Sequence, residues 1–330
     1  MATIVVITGA GAGVGRATAT EFARHGCDLA LLSRDRDRLE TAATDLRRFG
    51  VRVLPIPTDV ADAKAVEAAA DRTEQELGPI DIWVNVAMAT VFAPVSQLTA
   101  EEIQRGTAVT YLGQVHGIMA ALRYMRPRNR GSIVCVGSAL AYRSVPLQSV
   151  YCGAKFAIRG FVDSLRSELY HDKVAVTLTE VDLPAVNTPQ FDWARNKMNR
   201  RAQPVPPVFQ PEVAARAIYF GAFNPRRQIW VGFPTVKAIL ANRIAPGLID
   251  RYLAKSGYSG QLTDEPSDPS APGNLFEPVL GPYGAHGRFD HLARPRSMEM
   301  VTSRHRDALW TAVGVGLLLG VHRLAKRWGI

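Results

Sequence analysis

Tyr151 and Lys155 stand four residues apart in the strongest helical pattern of the chain, residues 149–171, so they share one helical face a single turn apart. A phenol is a weak acid, with an ordinary pKa of about 10. An ammonium one turn away favours its anion and brings it toward proton exchange near neutrality. Thirteen residues before Tyr151, Ser138 closes the apolar run 132–136 after Gly137. A hydroxyl there can hydrogen-bond a substrate oxygen while charge builds on it. The chemistry this trio suits is hydride transfer to or from a carbonyl carbon. Tyr151 would exchange the proton, Lys155 would tune it and hold ribose hydroxyls, and Ser138 would orient the oxygen.

A tyrosine and a lysine at that spacing recur by chance in many helices, so the rest of the chain has to supply their context. Residues 3–8 form an apolar strand-like run that enters Thr8-Gly9-Ala10-Gly11-Ala12-Gly13-Val14-Gly15, and a helical pattern follows at once. Such glycines allow a tight turn and close approach of the main chain to a pyrophosphate, at which the helix start aims its free N–H groups. The second strand ends in Ser33-Arg34, a small hydroxyl and a guanidinium where an acidic residue would grip a ribose 2′-hydroxyl. This favours NADP(H) over NAD(H), with Arg36 and Arg38 adding positive potential. After the third strand, Asp59 and Val60 stand where a carboxylate can accept from an adenine amino group. The other reading of Asp59 is an N-cap for the helix that follows.

These residues need a scaffold that gathers strand ends. Short β-branched runs at 4–7, 28–32, 51–56, 81–84, 132–136, 174–179 and 228–232 alternate with helical stretches at 14–25, 35–49, 62–77, 100–125, 149–171 and 211–222. That alternation predicts an α/β fold, a Rossmann-type doubly wound parallel sheet of about seven strands with helices on both faces. Ligands then bind beyond the carboxyl ends of the strands, where the glycine turn and Ser138 both lie. Residues 1–255 form the predicted catalytic domain, with 184–222 as its substrate-binding segment. Residues 233–255 read as a helix broken near Pro246 and Gly247. Residues 256–304, rich in Gly and Pro, read as an extension that hugs the surface or is poorly ordered, and 305–330 as an apolar helix.

With these motifs in place, residues 3–232 resemble the short-chain dehydrogenase/reductase family. The matching pieces are the glycine run, Asp59, Ser138, Tyr151 and Lys155. The resemblance implies an NAD(P)(H) cofactor, oxidation of alcohols or reduction of carbonyls, and a homodimer or homotetramer. It also implies cofactor contacts for Asn85, Pro184 and Thr188, and it places Thr110 where the family keeps an asparagine that supports a proton-relay water. The chain departs from the pattern there, at Asn85-Val86-Ala87-Met88, which stands for Asn-Asn-Ala-Gly, and at Pro184-Ala185, which stands for Pro-Gly.

Leu140, Tyr142, Leu147, Phe191 and Trp193 are candidate pocket walls, suited to a bulky apolar alcohol or carbonyl compound such as a sterol, a retinoid-like or a fatty molecule. The 330 residues are 47% hydrophobic, ample for a core, and the net charge of +9 favours anionic partners. No nucleic-acid motif accompanies that charge, and a nucleic-acid partner is not expected. Three isolated cysteines, with His116 and His171 lacking a second ligand, predict no metal and a reducing, cytoplasmic setting; no basic leader precedes the first strand, so secretion is not expected. The apolar stretch 308–321 would span about 21 Å as a helix. It reads either as a membrane attachment or as a helix docked on protein. A competing functional reading is a catalytically weak, membrane-associated NADP-binding scaffold, supported by Val86, Met88 and Thr110.

Overall fold

A computed structural model describes residues 2–304. The expected apolar helix at 305–330 lies outside the described residues. Seven parallel strands form the central sheet: β1 (Ile4–Thr8), β2 (Asp28–Ser33), β3 (Val53–Pro57), β4 (Ile82–Asn85), β5 (Gly131–Ser138), β6 (Val176–Leu183) and β7 (Gln228–Trp230). Their spatial order is β7-β6-β5-β4-β1-β2-β3, so the order reverses between β1 and β4. That reversal opens the crevice in which such sheets hold their ligands.

The strands are apolar on both sides because helices cover both faces. Val5, Ile7, Leu29 and Leu31 join one core cluster, under α1 (Gly13–Arg24), α2 (Arg36–Arg47) and α7 (Pro211–Phe223). The intervening Val6, Ala30 and Leu32 join the other, under α3 (Ala63–Glu76), α5 (Gly113–Arg128) and α6 (Ser149–His171). The period of two along each strand thus feeds two separate cores. Helix starts are set locally. The Asp35 carboxylate accepts from Arg38 N, Asp62 accepts from Lys64 N and Ala65 N, and Thr99 and Glu102 form a capping box at α4 (Ala100–Thr107). The cap of α3 is therefore Asp62, which leaves Asp59 free of that role.

Two segments depart from the sequence reading. The expected helix at 100–125 is interrupted by a π-turn at residues 108–112 between α4 and α5, and Thr110 sits inside it. Strand β6 runs to Leu183, beyond the expected end at 179, because Glu180 and Asp182 break the apolar pattern while continuing the pairing with β5. The extension after 256 takes the surface-hugging form, one of its two expected readings, and is held by pairing. Its strand Leu262–Pro266 pairs antiparallel with Arg200–Ala202, Ala293–Arg294 pairs parallel with Val208–Phe209, and Leu275 and Phe289 are buried. As expected, residues 233–255 break near Pro246, into α8 (Phe233–Ile244) and α9 (Pro246–Ser256), the proline beginning the second.

Candidate active site

The glycine turn is shaped by close packing. Gly9 has φ +69°, and a Cβ there would lie 2.9 Å from the Cα of Ala87; a Cβ on Gly15 would lie 2.1 Å from the carbonyl oxygen of Gly9. Only glycine fits either place. Helix α1 starts without a side-chain cap, and its first N–H group, Gly13 N, meets the Gly284 carbonyl of the extension instead. Thr8 braces the neighbouring loop, its hydroxyl accepting from Val86 N and Ala87 N. Gly11 packs on Ser33.

At the ends of β5 and α6 the structure brings Ser138, Tyr151 and Lys155 together around one cavity of about 700 Å³. Lys155 is 1% exposed, and its Nζ donates to Val136 O at 2.6 Å and lies 5.5 Å from the centre of the Tyr151 ring. The Ser138 hydroxyl accepts from Leu140 N at 3.1 Å and contacts the Tyr151 phenol. Burial pushes the phenol above its ordinary range, and the Ser138 contact pulls it back. Burial also lowers the Lys155 ammonium to about 8, against the pull of Glu180, Asp182 and Cys135. Contrary to the expectation that the ammonium lowers the phenol, burial dominates in the protein alone and the counterweight comes from Ser138.

Glu180 and Asp182 were invisible to motif reading. They are fully buried, two residues apart on one side of β6, and the unpartnered oxygens Oε1 and Oδ1 both converge on Gly137. Tyr142 donates to Asp182 at 2.9 Å, and Gln228 to Glu180 at 3.3 Å. Burial raises both carboxyls, Glu180 to about 7, and each feels the other's charge or that of Lys155. Their sequence signal was two acids at alternate positions in a strand buried on both faces.

Some expected site residues serve as supports. Asn85 is buried, with Oδ1 accepting from Trp83 Nε1 and packing on Gly117, so it faces α5 away from the cavity. Thr110 spends its hydroxyl on Ala89, donating to the carbonyl and accepting from the N–H, each at 2.9 Å. Tyr142 and Leu147 are not cavity walls. Tyr142 lies beneath on Asp182, and Leu147 packs with Phe92. Leu140, Phe191 and Trp193 do line the cavity, as do Gly9, Gly13, Val14, Gly15, Ser33, Arg34, Asp59, Val60, Pro184 and Thr188.

The end of the crevice near β2 is closed over by the extension. Gly13 N donates to Gly284 O at 3.0 Å. Arg34 donates to the carbonyls of Asn274 and Phe276, both at 2.5 Å, and Arg38 donates to Val279 O. Asp59 pairs with Arg105 at 2.6 Å, and Arg105 reaches Leu275 O at 3.1 Å. Trp193 stacks on Arg38 at 4.9 Å and meets Tyr283 edge-on, while Phe191 meets Phe289. Both aromatic walls thus also hold the extension in place.

A family model described as short chain dehydrogenase matches residues 3–199. An uncharacterized oxidoreductase of Bacillus subtilis, YxnA, is 28% identical over 318 residues, covering 96% of this chain and 88% of its own length, so the match takes in the extension. A 17-beta-hydroxysteroid dehydrogenase 13 of Rattus norvegicus is 33% identical over 69% of this chain and 74% of its own. Among solved structures, an alcohol dehydrogenase from Thermococcus sibiricus complexed with 5-hydroxy-NADP superposes with a TM-score of 0.57 at 25% identity, covering 70% of this chain and 95% of that one.

Proposed function

The chain belongs to the short-chain dehydrogenase family, an oxidoreductase that acts on CH–OH donors and binds NAD(P), and from that premise we propose that it interconverts a bulky apolar alcohol and its carbonyl compound with NADP(H). The observation that carries the reading is the convergence of Ser138, Tyr151 and Lys155 on a cavity that also reaches the glycine turn. The residues fit the cofactor: only glycine is tolerated where the main chain must close in, and no side chain caps the start of α1, whose Gly13 N–H would exchange the Gly284 carbonyl for a phosphate oxygen. The glycine turn with Thr188 would hold the pyrophosphate, Lys155 the nicotinamide ribose, and Arg34 with Ser33 the 2′-phosphate. When bound, the cofactor supplies or takes the hydride.

The chain's own residues handle the proton. In the reducing direction Ser138 hydrogen-bonds the substrate oxygen, and the Tyr151 O–H bond breaks as its proton passes to that oxygen. The buried Lys155 ammonium stabilises the resulting phenolate, whose charge would otherwise sit in a desolvated site. Support for NADP(H) comes from Arg34 and Arg38, which line the cavity beside Ser33. Arg34 uses its two terminal nitrogens on the extension, which leaves its Nε edge and holds the guanidinium in place. Support for an apolar substrate comes from the wall formed by Leu140, Val145, Phe191, Val205, Ile249 and Leu253.

The test is NADPH consumption by the purified protein with a panel of apolar ketones and aldehydes, with Tyr151→Phe alongside. Turnover on part of the panel is expected, and about a 10³-fold loss of kcat in the variant. Wild-type protein that binds NADPH but turns over nothing on the panel would defeat the apolar-substrate reading.

A further inference from the structure

Helices α8 and α9 form one lip of the cavity. Ala238, Ala241, Ile249 and Leu253 face into it, and Lys237 and Tyr252 stand at its edge. The outer side of the same helices is unusually apolar. Phe233, Leu240 and Ile244 fall on one face of α8 and are 69%, 48% and 83% exposed, while Ile239 points inward and is buried. Leu248 and Tyr252, four apart on α9, are each 67% exposed, and α9 has no buried residue at all. Lone exposed apolar side chains are ordinary on any protein, but five within twenty residues, on two consecutive helices, are a concentration of apolar surface.

Four exposed cations frame that patch: Lys237, Arg243, Arg251 and Lys255. The acid among them, Asp250, is held by Arg143 from the loop after β5. An apolar stripe bordered by basic side chains is the pattern of a helix that lies in a membrane interface, where both signals are needed for firm attachment. We propose that the α8–α9 pair docks on an anionic lipid bilayer and that an apolar substrate enters the cavity from that bilayer between the two helices. The second part rests on the apolar-substrate reading above; the docking itself does not. Charge decides the occupant. A second copy placed face to face would set the same four cations opposite one another. The chain's own residues 308–321 are flanked by Arg304, Arg306 and Arg323, again of the same sign.

Co-sedimentation of the full chain with vesicles tests the docking without any substrate, so its outcome is independent of turnover. Wild-type protein is expected to pellet with phosphatidylcholine–phosphatidylglycerol vesicles, to stay in solution with phosphatidylcholine alone, and to be released by salt. The pair Ile244→Glu with Leu248→Glu, both outside the cavity, should weaken partitioning at least about tenfold. Turnover of a small water-soluble carbonyl compound should stay at the wild-type rate, which shows that the variant is folded. A tail variant, Leu317→Glu with Leu319→Glu, should bind vesicles as the wild type does. The proposal is overturned if the α8–α9 variant partitions unchanged, if the tail variant alone abolishes binding, or if wild-type protein ignores anionic vesicles. It is equally overturned if the α8–α9 substitutions split an oligomer in the absence of lipid, since the patch would then be a subunit contact.

Discussion

The two ends of the crevice are built in different ways. At the catalytic end, Ser138, Tyr151 and Lys155 come from one strand and the helix next along the chain, and the sheet itself holds them: Lys155 is tied to the main chain of β5 at Val136. At the other end, Arg34 and Arg38 sit just after β2, yet both reach carbonyls about 240 residues further on. One end is rigid because its neighbours are local. The other draws part of its order from the docked extension, although Arg38 also pairs with Asp35 at 2.7 Å, so to that extent it inherits the mobility of the extension. The proposed pyrophosphate contacts at Gly9 and Gly15 belong to the first kind and the proposed 2′-phosphate contacts to the second, with Gly13, bonded to Gly284 O, between them.

The largest expected effect falls on the rigid side. In Gly15→Ala the new methyl would lie 2.1 Å from the Gly9 carbonyl, and backbone on both sides leaves nothing flexible to yield. NADPH affinity, read by fluorescence titration, should fall more than about 100-fold. Near-normal affinity would mean that the cofactor does not use this turn.

The same contrast explains what the sequence could disclose. The glycine run, Ser138, Tyr151 and Lys155 were legible because strand–turn–helix spacing alone places them, and Gly9, Gly13, Gly15 and the catalytic trio line one cavity. Asn85 and Thr110 carried over from a family pattern as site residues, but spacing says nothing about which way a side chain turns. Asn85 serves Trp83 and Thr110 serves Ala89. The extension had no periodicity to read, since its order comes from carbonyls caught by distant arginines and from short strand pairs. The pairing of Arg195 and Lys197 with the buried Glu102 was hidden for the same reason. Glu180 and Asp182 escaped notice because they interrupt a strand pattern, and interruption reads as a strand end.

The buried acids give the second effect, again at the catalytic end. Lys155 is lowered to about 8 by burial, so its ammonium is present below that pH and lost above it. In the reducing direction kcat/KM should be level below the transition and fall about tenfold per unit above it. Asp182→Asn removes negative charge that favours the ammonium, so the alkaline limb should move to lower pH. A limb that stays put in the variant would show that Lys155 does not feel this pair, or that another group governs the profile.

The smallest effect separates the two kinds of construction most sharply. Arg34→Ala removes a charge-assisted contact to a 2′-phosphate, and NADPH should bind about tenfold more weakly while NADH is little changed. The substitution also releases the carbonyls of Asn274 and Phe276, so loosening of the extension has to be told apart from loss of the phosphate contact. Phe289→Ala makes that distinction. Phe289 is buried against Phe191 in the extension and touches none of the residues proposed to meet the phosphate. If docking of the extension orders the whole far end, Phe289→Ala should weaken NADPH and NADH alike, leaving their ratio as in the wild type, while Arg34→Ala changes the ratio. Equal losses of both cofactors in Arg34→Ala would instead make this arginine an anchor for the extension and leave the 2′-phosphate without its proposed partner.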